Sequence, residues 1–168
     1  LGFQKAGVKP DAVAMAKGLG GGFPIGGIWL KEKWTDIFQP GSHGTTFGGS
    51  PLACSAAHAV LDVIEKEDLI KKTQKHGEFL QSELENLKNK YPDLIKEVRG
   101  RGLMLALVMQ NSPNDLITKL RQNGLLVVGA AGNAIRFLPP LTICNSELKE
   151  ALEITKNSLK EFHHELQK

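Results

Sequence analysis

The stretch AKGLGGGFPIGG, residues 16–27, combines a highly flexible backbone with one charged group. Six of its twelve residues are glycine, and Lys17 is its only ionisable side chain. An apolar run at 12–16 leads into it and fits a buried strand, so Lys17 is expected at a strand end, where partial desolvation favours the neutral amine. The glycines leave room for a bulky group. A neutral amine beside such space suits a Schiff base with a carbonyl compound; the alternative is an exposed lysine beside an ordinary turn.

Two common phosphate-binding fingerprints do not fit this stretch. The dinucleotide pattern G-x-G-x-x-G would need glycine where the chain has Phe23 or Ile25. A P-loop places its lysine after the glycines and follows it with Ser or Thr, whereas Lys17 precedes them. Covalent use of the amine is therefore the functional interpretation that remains.

A second glycine-rich loop, PGSHGTTFGGSP at 40–51, precedes a long helical pattern. Thr45 and Thr46 supply hydroxyl groups, and Ser50 followed by Pro51 is a typical N-cap and first helical residue. Free backbone N–H groups and the helix dipole favour an anion at this place. A cofactor with a carbonyl for the lysine and a phosphate for this loop would satisfy both loops, and pyridoxal phosphate (PLP) has both groups.

Composition sets the broad class. The 168 residues are 41% hydrophobic and 23% charged with a net charge of +3, which is ordinary for a soluble globular protein and too mild for nucleic-acid or membrane binding. Cys54 and Cys144 have no metal-ligand spacing, so we expect reduced thiols, no metal site and a cytoplasmic location. The chain opens without Met and soon enters an apolar run, so we expect it to be the interior of a longer protein.

Apolar periodicity predicts the remaining elements. A stripe from Leu69 to Leu87 and another from Leu148 to Leu166 indicate two long helices. Ser112 followed by proline and acid predicts a capped helix that stops at Gly124. Strands are predicted at 12–16, 25–30, 103–109, 125–128 and 135–138. This alternation predicts a small α/β or α+β layer in the second half.

Three ordered motifs, at 16–26, 43–54 and 135–143, resemble the class III (ω-amino) PLP-dependent aminotransferases. The resemblance implies an α/β fold of the fold-type-I PLP transferase kind. Residues 1–75 would form the C-terminal part of the large PLP-binding domain with the start of a linking helix. Residues 76–168 would form the small C-terminal α/β domain.

The resemblance also implies the site residues. Lys17 would form the Schiff base with PLP and move a proton between the substrate carbon and the cofactor. Thr46 would contact the PLP phosphate from the neighbouring subunit of a homodimer. Thr45 stands where the family often has Ser and would lie near phosphate or substrate. Arg136 would pair with a substrate carboxylate or an active-site acid.

The motif wording is closest to the acetylornithine enzymes of this family. It implies transfer of the terminal amino group of N-acetylornithine to a 2-oxo acid, 2-oxoglutarate, in arginine biosynthesis. Ornithine, succinylornithine, 4-aminobutyrate and diaminobutyrate are alternative donors, and a non-catalytic fragment or interaction module is a further alternative. The family residues that protonate and stack on the PLP ring precede this stretch, so we expect the chain alone to be inactive.

Overall fold

The computed structural model describes residues 2–167, in which helices and strands alternate along the chain. The helices are α1 (Gly2–Lys5), α2 (Pro51–Lys66), α3 (Leu69–Lys90), α4 (Asn114–Gln122) and α5 (Asn145–Leu166). The strands are β1 (Ala12–Met15), β2 (Gly27–Leu30), β3 (Ile95–Arg101), β4 (Met104–Met109), β5 (Val128–Ala130) and β6 (Ala134–Phe137). Two 3₁₀ helices span Lys17–Gly20 and Glu32–Ile37. The chain divides into two compact units between Glu67 and Asp68.

The first unit contains the antiparallel pair β1–β2, in which Ala12 lies opposite Leu30 and Met15 opposite Gly27. The strand predicted at 12–16 is confirmed, but its predicted burial is wrong. Residues of β1 alternate between exposed and half-buried. The physical reason is that, among the described strands, β1 pairs only with β2, and a two-stranded ribbon buries little of either face.

Helix α2 begins as its sequence predicts. Ser50 is the N-cap, its hydroxyl accepts a hydrogen bond from the Ala53 N–H at 3.4 Å, and Pro51 is the first helical residue. The small apolar face allows close packing against the first glycine loop. A Cβ added at Gly21 would lie 3.0 Å from the Val60 Cγ2 atom, so the loop backbone lies directly against this helix.

The second unit is a four-stranded antiparallel sheet in the order β3-β4-β6-β5, with α3, α4 and α5 packed on one face. The sequence left two arrangements open for this part of the chain, α/β and α+β. The second unit has the α+β arrangement. The main core joins the helices to the sheet and includes Leu80, Leu84, Leu105, Leu107, Leu116, Leu120, Ile135, Leu148, Leu152 and Leu159. Burial confirms the stripe from Leu69 to Leu87 and the stripe from Leu148 as far as Phe162, whereas Leu166 at its predicted end is exposed.

Helix α3 approaches the β3–β4 turn unusually closely. A Cβ added at Gly77 would lie 2.6 Å from the backbone atoms of Gly102, so only a glycine at position 77 allows this spacing. Gly102 itself has φ +56°, a conformation that favours glycine, and a Cβ there would lie 3.3 Å from the Thr73 methyl group. The helix and the turn therefore meet through backbone.

Several element boundaries differ from the sequence predictions. Strand β3 was not predicted, and β5 spans Val128–Ala130 rather than 125–128. The predicted capping box at Ser112 is wrong, because Pro113 occupies the N-cap position of α4 and no side chain caps it. The compact units divide ahead of the expected domain boundary at 75/76, and the domain assignment stays a prediction. No helix among residues 2–167 has the length and apolar character to cross a membrane.

Candidate cofactor and substrate site

Lys17 lies one residue beyond the end of β1, at the first position of a 3₁₀ helix. Ala16 before it is extended, with φ −160°, whereas Lys17 has φ 54°, in the left-handed region that non-glycine residues rarely adopt. Such a conformation costs about 1–2 kcal/mol, and residues held in sparsely populated conformations concentrate at functional sites. The side chain is exposed in this chain, so the desolvation expected from the sequence is not observed.

An ion-pair cluster holds the β1–β2 pair at the end opposite Lys17. The Asp11 carboxylate lies 3.0 Å from Lys31 Nζ and 3.2 Å from Lys33 Nζ. The Lys31 N–H also donates to the Asp11 carbonyl at 3.0 Å, next to the pair formed by Ala12 and Leu30. Hydrogen bonds from Lys31, then Trp34 and Lys33, lower the pKa of Asp11 to about 2. This cluster lies at the end of the β1–β2 pair, where the backbone hydrogen bond from Lys31 to Asp11 extends the strand pairing by one residue.

A concavity of about 620 Å³ brings the two glycine-rich loops together in the first unit. It is lined by Pro24, Ile25, Gly26, Gly27, Ile28, Phe38, His43, Thr45, Phe47, Gly48, Gly49 and Ala53. Thr45 is therefore in contact with this space, whereas Lys17 and Thr46 are not among its lining residues. The volume lies within the ordinary range for small-molecule sites.

The chemistry of this lining fits a small phosphorylated cofactor. Four glycines, the Thr45 hydroxyl and the nearby start of α2 offer backbone approach, a hydrogen-bond donor and a favourable helix dipole. A Cβ added at Gly48 would collide with the Thr45 Cγ2 atom, so a larger residue there would displace the Thr45 side chain. The second loop thus brings a hydroxyl group and glycine backbone to this space, and its role in phosphate binding stays a prediction.

Arg136 lies in the second unit, on strand β6. It is half-buried, on the sheet face away from the helices, and pairs with Ala106 on one side and Val128 on the other. Its Nε atom is buried without a hydrogen-bond partner among the described residues, which leaves a donor for an acceptor from outside this unit.

Sequence reasoning missed two arginines on the same face. Arg99 and Arg101 lie at alternate positions of β3, and Arg99 faces Ala106, the residue that also faces Arg136. The two arginines of the RGR sequence could have been noticed, but the face that they share cannot be assigned until β3 is known to be a strand. Within residues 2–167, no group of three or more His, Cys, Asp or Glu side chains is placed to hold a metal ion.

A family model described as aminotransferase class III matches residues 1–159. The chain belongs to the class III aminotransferases. The match spans Lys17, Thr45, Thr46 and Arg136, whose individual roles stay predictions.

Several class III aminotransferases are similar to this chain over nearly all of its length. Acetylornithine aminotransferase of Caldanaerobacter subterraneus subsp. tengcongensis is 41% identical over 96% of this chain, which covers 41% of that protein. The Methanocaldococcus jannaschii protein of the same name is 44% identical over 99% of the chain, which covers 40% of that protein. The chain therefore spans about two fifths of the length of these curated relatives.

Solved structures of class III aminotransferases agree with the architecture. Acetylornithine aminotransferase from Elizabethkingia anophelis matches 96% of the chain, and 43% of its own, with a TM-score of 0.90 and 37% identity. Ornithine aminotransferase from Toxoplasma gondii matches 100% of the chain, and 41% of its own, with a TM-score of 0.95 and 34% identity. That structure was described with partial occupancy of PLP at the active site, and the family is PLP-dependent.

Proposed function

We propose that this chain provides the PLP-linked lysine and part of the phosphate and carboxylate sites of an aminotransferase that moves the terminal amino group of N-acetylornithine to 2-oxoglutarate. The main support is the class III match over residues 1–159, which contains every residue predicted for the site. Acetylornithine aminotransferases at 41% and 44% identity support the choice of amino donor. Because the chain spans about two fifths of those proteins, we assign turnover to a larger assembly that includes it.

The central role in the proposal belongs to the Lys17 Nζ atom. PLP, when bound, supplies a carbonyl that reacts with amines and an electron-withdrawing ring that acidifies the attached substrate carbon. Lys17 would hold the cofactor through Nζ, and the same atom, when free, would act as the base and acid for the proton at that carbon. Both roles need a primary amine at position 17.

Two further roles belong to the threonine loop and to Arg136. Thr45 and the adjacent glycine N–H groups hold the phosphate or the substrate beside it, because hydroxyl and backbone donors at a helix start suit an anion. Thr46 performs its phosphate contact in the site of a partner subunit, so the proposal includes a homodimer. Arg136 pairs with a substrate carboxylate through its planar fork of donors.

Borohydride trapping tests the assignment of Lys17. The purified chain is incubated with PLP, reduced, digested and mapped by mass spectrometry, beside Lys17→Ala and a matched control, Lys5→Ala, which removes another exposed lysine of the first unit. We expect a pyridoxyl adduct at Lys17 that is absent from Lys17→Ala and unchanged in Lys5→Ala. Adducts spread over many lysines, at the same level in all three proteins, would contradict the proposal.

Ornithine is the second candidate donor. The TM-score of 0.95 to the Toxoplasma gondii ornithine aminotransferase is as strong a structural match as that to the acetylornithine enzyme. The two donors differ in charge at the α-amino group, which acetylation neutralises. In the assembled protein, a kcat/KM for N-acetylornithine at least tenfold above that for ornithine supports the first candidate, and the reverse ratio supports the second.

A further inference from the structure

The pair Asn123–Gly124 follows directly after α4 and is the only Asn–Gly pair in the sequence. Asparagine before glycine loses its side-chain amide more readily than other asparagines, because glycine has no side chain to hinder attack by its own backbone nitrogen. Each of the other asparagines precedes a residue that has a side chain. Asn123 is exposed, so water reaches it and burial does not protect it. Its protection in the folded chain therefore depends on hydrogen bonds.

The attacking group, the Gly124 backbone nitrogen, is held by the end of α4. The Gly124 N–H donates to the Arg121 carbonyl at 3.1 Å, and the Leu125 N–H donates to the Leu120 carbonyl at 2.9 Å. With Gly124 at φ +92°, these two bonds form a Schellman motif, a common C-terminal cap of helices. Leu125 also packs against the main core of the second unit. Attack by the Gly124 nitrogen therefore requires the last turn of α4 to open.

The group under attack, the Asn123 side-chain amide, is held by α5. Its Nδ2 atom donates to the Ser158 hydroxyl at 2.9 Å, and 0% of the Ser158 surface is exposed. Because Ser158 is enclosed by protein, this hydrogen bond fixes the direction of the amide. One turn earlier on α4, Lys119 pairs with Glu165 at 2.8 Å and joins the same two helices. The two reacting groups are thus held by different contacts, and both contacts must break before they meet.

We propose that Asn123 is a covalent modification site and that its hydrogen bond to Ser158 controls its reactivity. The Gly124 nitrogen loses its proton to solvent and forms a bond to the Asn123 Cγ atom. The bond from Cγ to the side-chain nitrogen breaks, and this nitrogen leaves as ammonia with a proton from solvent. Water then opens the five-membered imide ring at one of its two carbonyl carbons. The product is aspartate or isoaspartate, and water is the only co-reactant.

Either product weakens the contact between α4 and α5. Aspartate replaces the Nδ2 donor with a negative charge at a helix C-terminus, where the helix dipole disfavours it. This charge lies one turn from Lys119 and competes with Glu165 for it. Isoaspartate lengthens the main chain by one carbon, so the N–H groups of Gly124 and Leu125 lose their acceptors in α4. The modification therefore loosens the last turn of α4 irreversibly.

Peptide mapping of the purified chain measures the reaction. The chain is incubated in mildly alkaline buffer, either folded or in guanidinium chloride, and is then digested with trypsin. Cleavage after Arg121 and Arg136 releases one peptide that contains both Asn123 and Asn133. Tandem mass spectrometry reports conversion at each asparagine, and Asn133, which precedes Ala134, is the internal reference. We expect Asn123 to convert at least tenfold more slowly in the folded chain than in guanidinium chloride, because reaction requires local opening.

Ser158→Ala tests the role of the hydrogen bond from Asn123. It keeps the Asn–Gly pair and removes only the acceptor, so the folded variant should react about fivefold faster than wild type, the effect of one ordinary hydrogen bond. The matched control is Ser82→Ala, at an exposed position of α3, which should change the rate by less than about twofold. In guanidinium chloride all three chains should react at the same rate, because the contact exists only in the folded state. Circular dichroism checks that each variant folds.

Two results would overturn the proposal. Equal rates for folded and unfolded wild type would show that the end of α4 does not protect the site. A folded Ser158→Ala chain that reacts like wild type, or one that is also faster in guanidinium chloride, would remove the role of Ser158. The consequence is tested by Asn123→Asp, one of the two products, which should lower the melting temperature by about 4 °C. An unchanged melting temperature would contradict the predicted loosening of α4.

Discussion

Replacing Gly77 with alanine should destabilise the second unit, although helix propensity alone predicts the reverse. Glycine inside a helix costs about 1 kcal/mol relative to alanine, so the substitution would ordinarily stabilise α3. Here the new Cβ would lie 2.6 Å from three backbone atoms of Gly102, and an ordinary contact starts at 3.4 Å. Helix and turn must therefore separate by about 0.8 Å, with no flexible side chain to take up the shift.

The magnitude follows from these opposed effects. Overpacking a closed contact costs about 1–3 kcal/mol, and a contact with backbone belongs at the upper end of that range. After the gain of about 1 kcal/mol from propensity, we expect a net loss of about 2 kcal/mol in the free energy of unfolding. Urea unfolding followed by circular dichroism measures it, with an unchanged m-value showing that the unfolded state is the same.

Ser82→Ala is the matched control, because Ser82 is exposed on the same helix. It gains helix propensity without a clash and should raise stability by a few tenths of a kcal/mol. If Gly77→Ala also proved more stable than wild type, the close approach of α3 to the β3–β4 turn would be refuted.

Two further predictions concern the first unit. Asp11→Asn should remove a pH-dependent part of the stability of the first unit. The pKa of Asp11 in the folded state is about 2, below the ordinary 3.8. The carboxylate therefore stabilises the fold fully above about pH 5, and this stabilisation is lost as the pH falls towards 2. Acid titration of the melting temperature should show a shallower decline for Asp11→Asn than for wild type between pH 5 and 2, and parallel curves would contradict the ion-pair cluster. Ser50→Ala removes the N-cap of α2 and should lower stability by about 1 kcal/mol, which thermal unfolding measures. The control is Ser55→Ala, at an exposed position of the same helix. It should change stability by less than half as much.

Helices were the most predictable part of this fold. The stripes of α3 and α5 repeat apolar residues at three- and four-residue spacing over 22 residues each, and a long amphipathic pattern leaves few alternatives. The start of α2 was equally clear, because Ser50 is a typical N-cap residue and Pro51 a typical first helical residue. Such signals depend on neighbours in sequence and need no knowledge of the sheet.

Strands at the sheet edges were the least predictable part. Strand β3 buries only Ile95 and Val98 and has charged residues at most of its other positions, so its pattern is that of a polar segment. Strand β5 pairs from Val128 because the turn before Ala134 fixes its register with β6, and Leu125 is left to pack against the core instead. Both outcomes depend on partners that are distant in sequence.

Some features of the candidate site could likewise be predicted from the sequence, and others could not. Residue types alone suggested amine chemistry for Lys17 and an anion site at the threonine loop, and both roles stay predictions. The left-handed backbone at Lys17 was not readable, because nothing in the adjacent sequence specifies φ for a lysine. The arginine face was not readable either, because Arg99 and Arg136 are 37 positions apart and meet only through Ala106.

The strand order β3-β4-β6-β5 also has a kinetic consequence. Two residues connect the β3–β4 pair and three connect the β5–β6 pair, so each hairpin closes at low entropic cost. Joining β4 to β6 must instead close the segment that contains α4. We therefore expect the second unit to fold by rapid formation of two hairpins followed by a slower association along β4 and β6, with the helices packing as that central pairing forms.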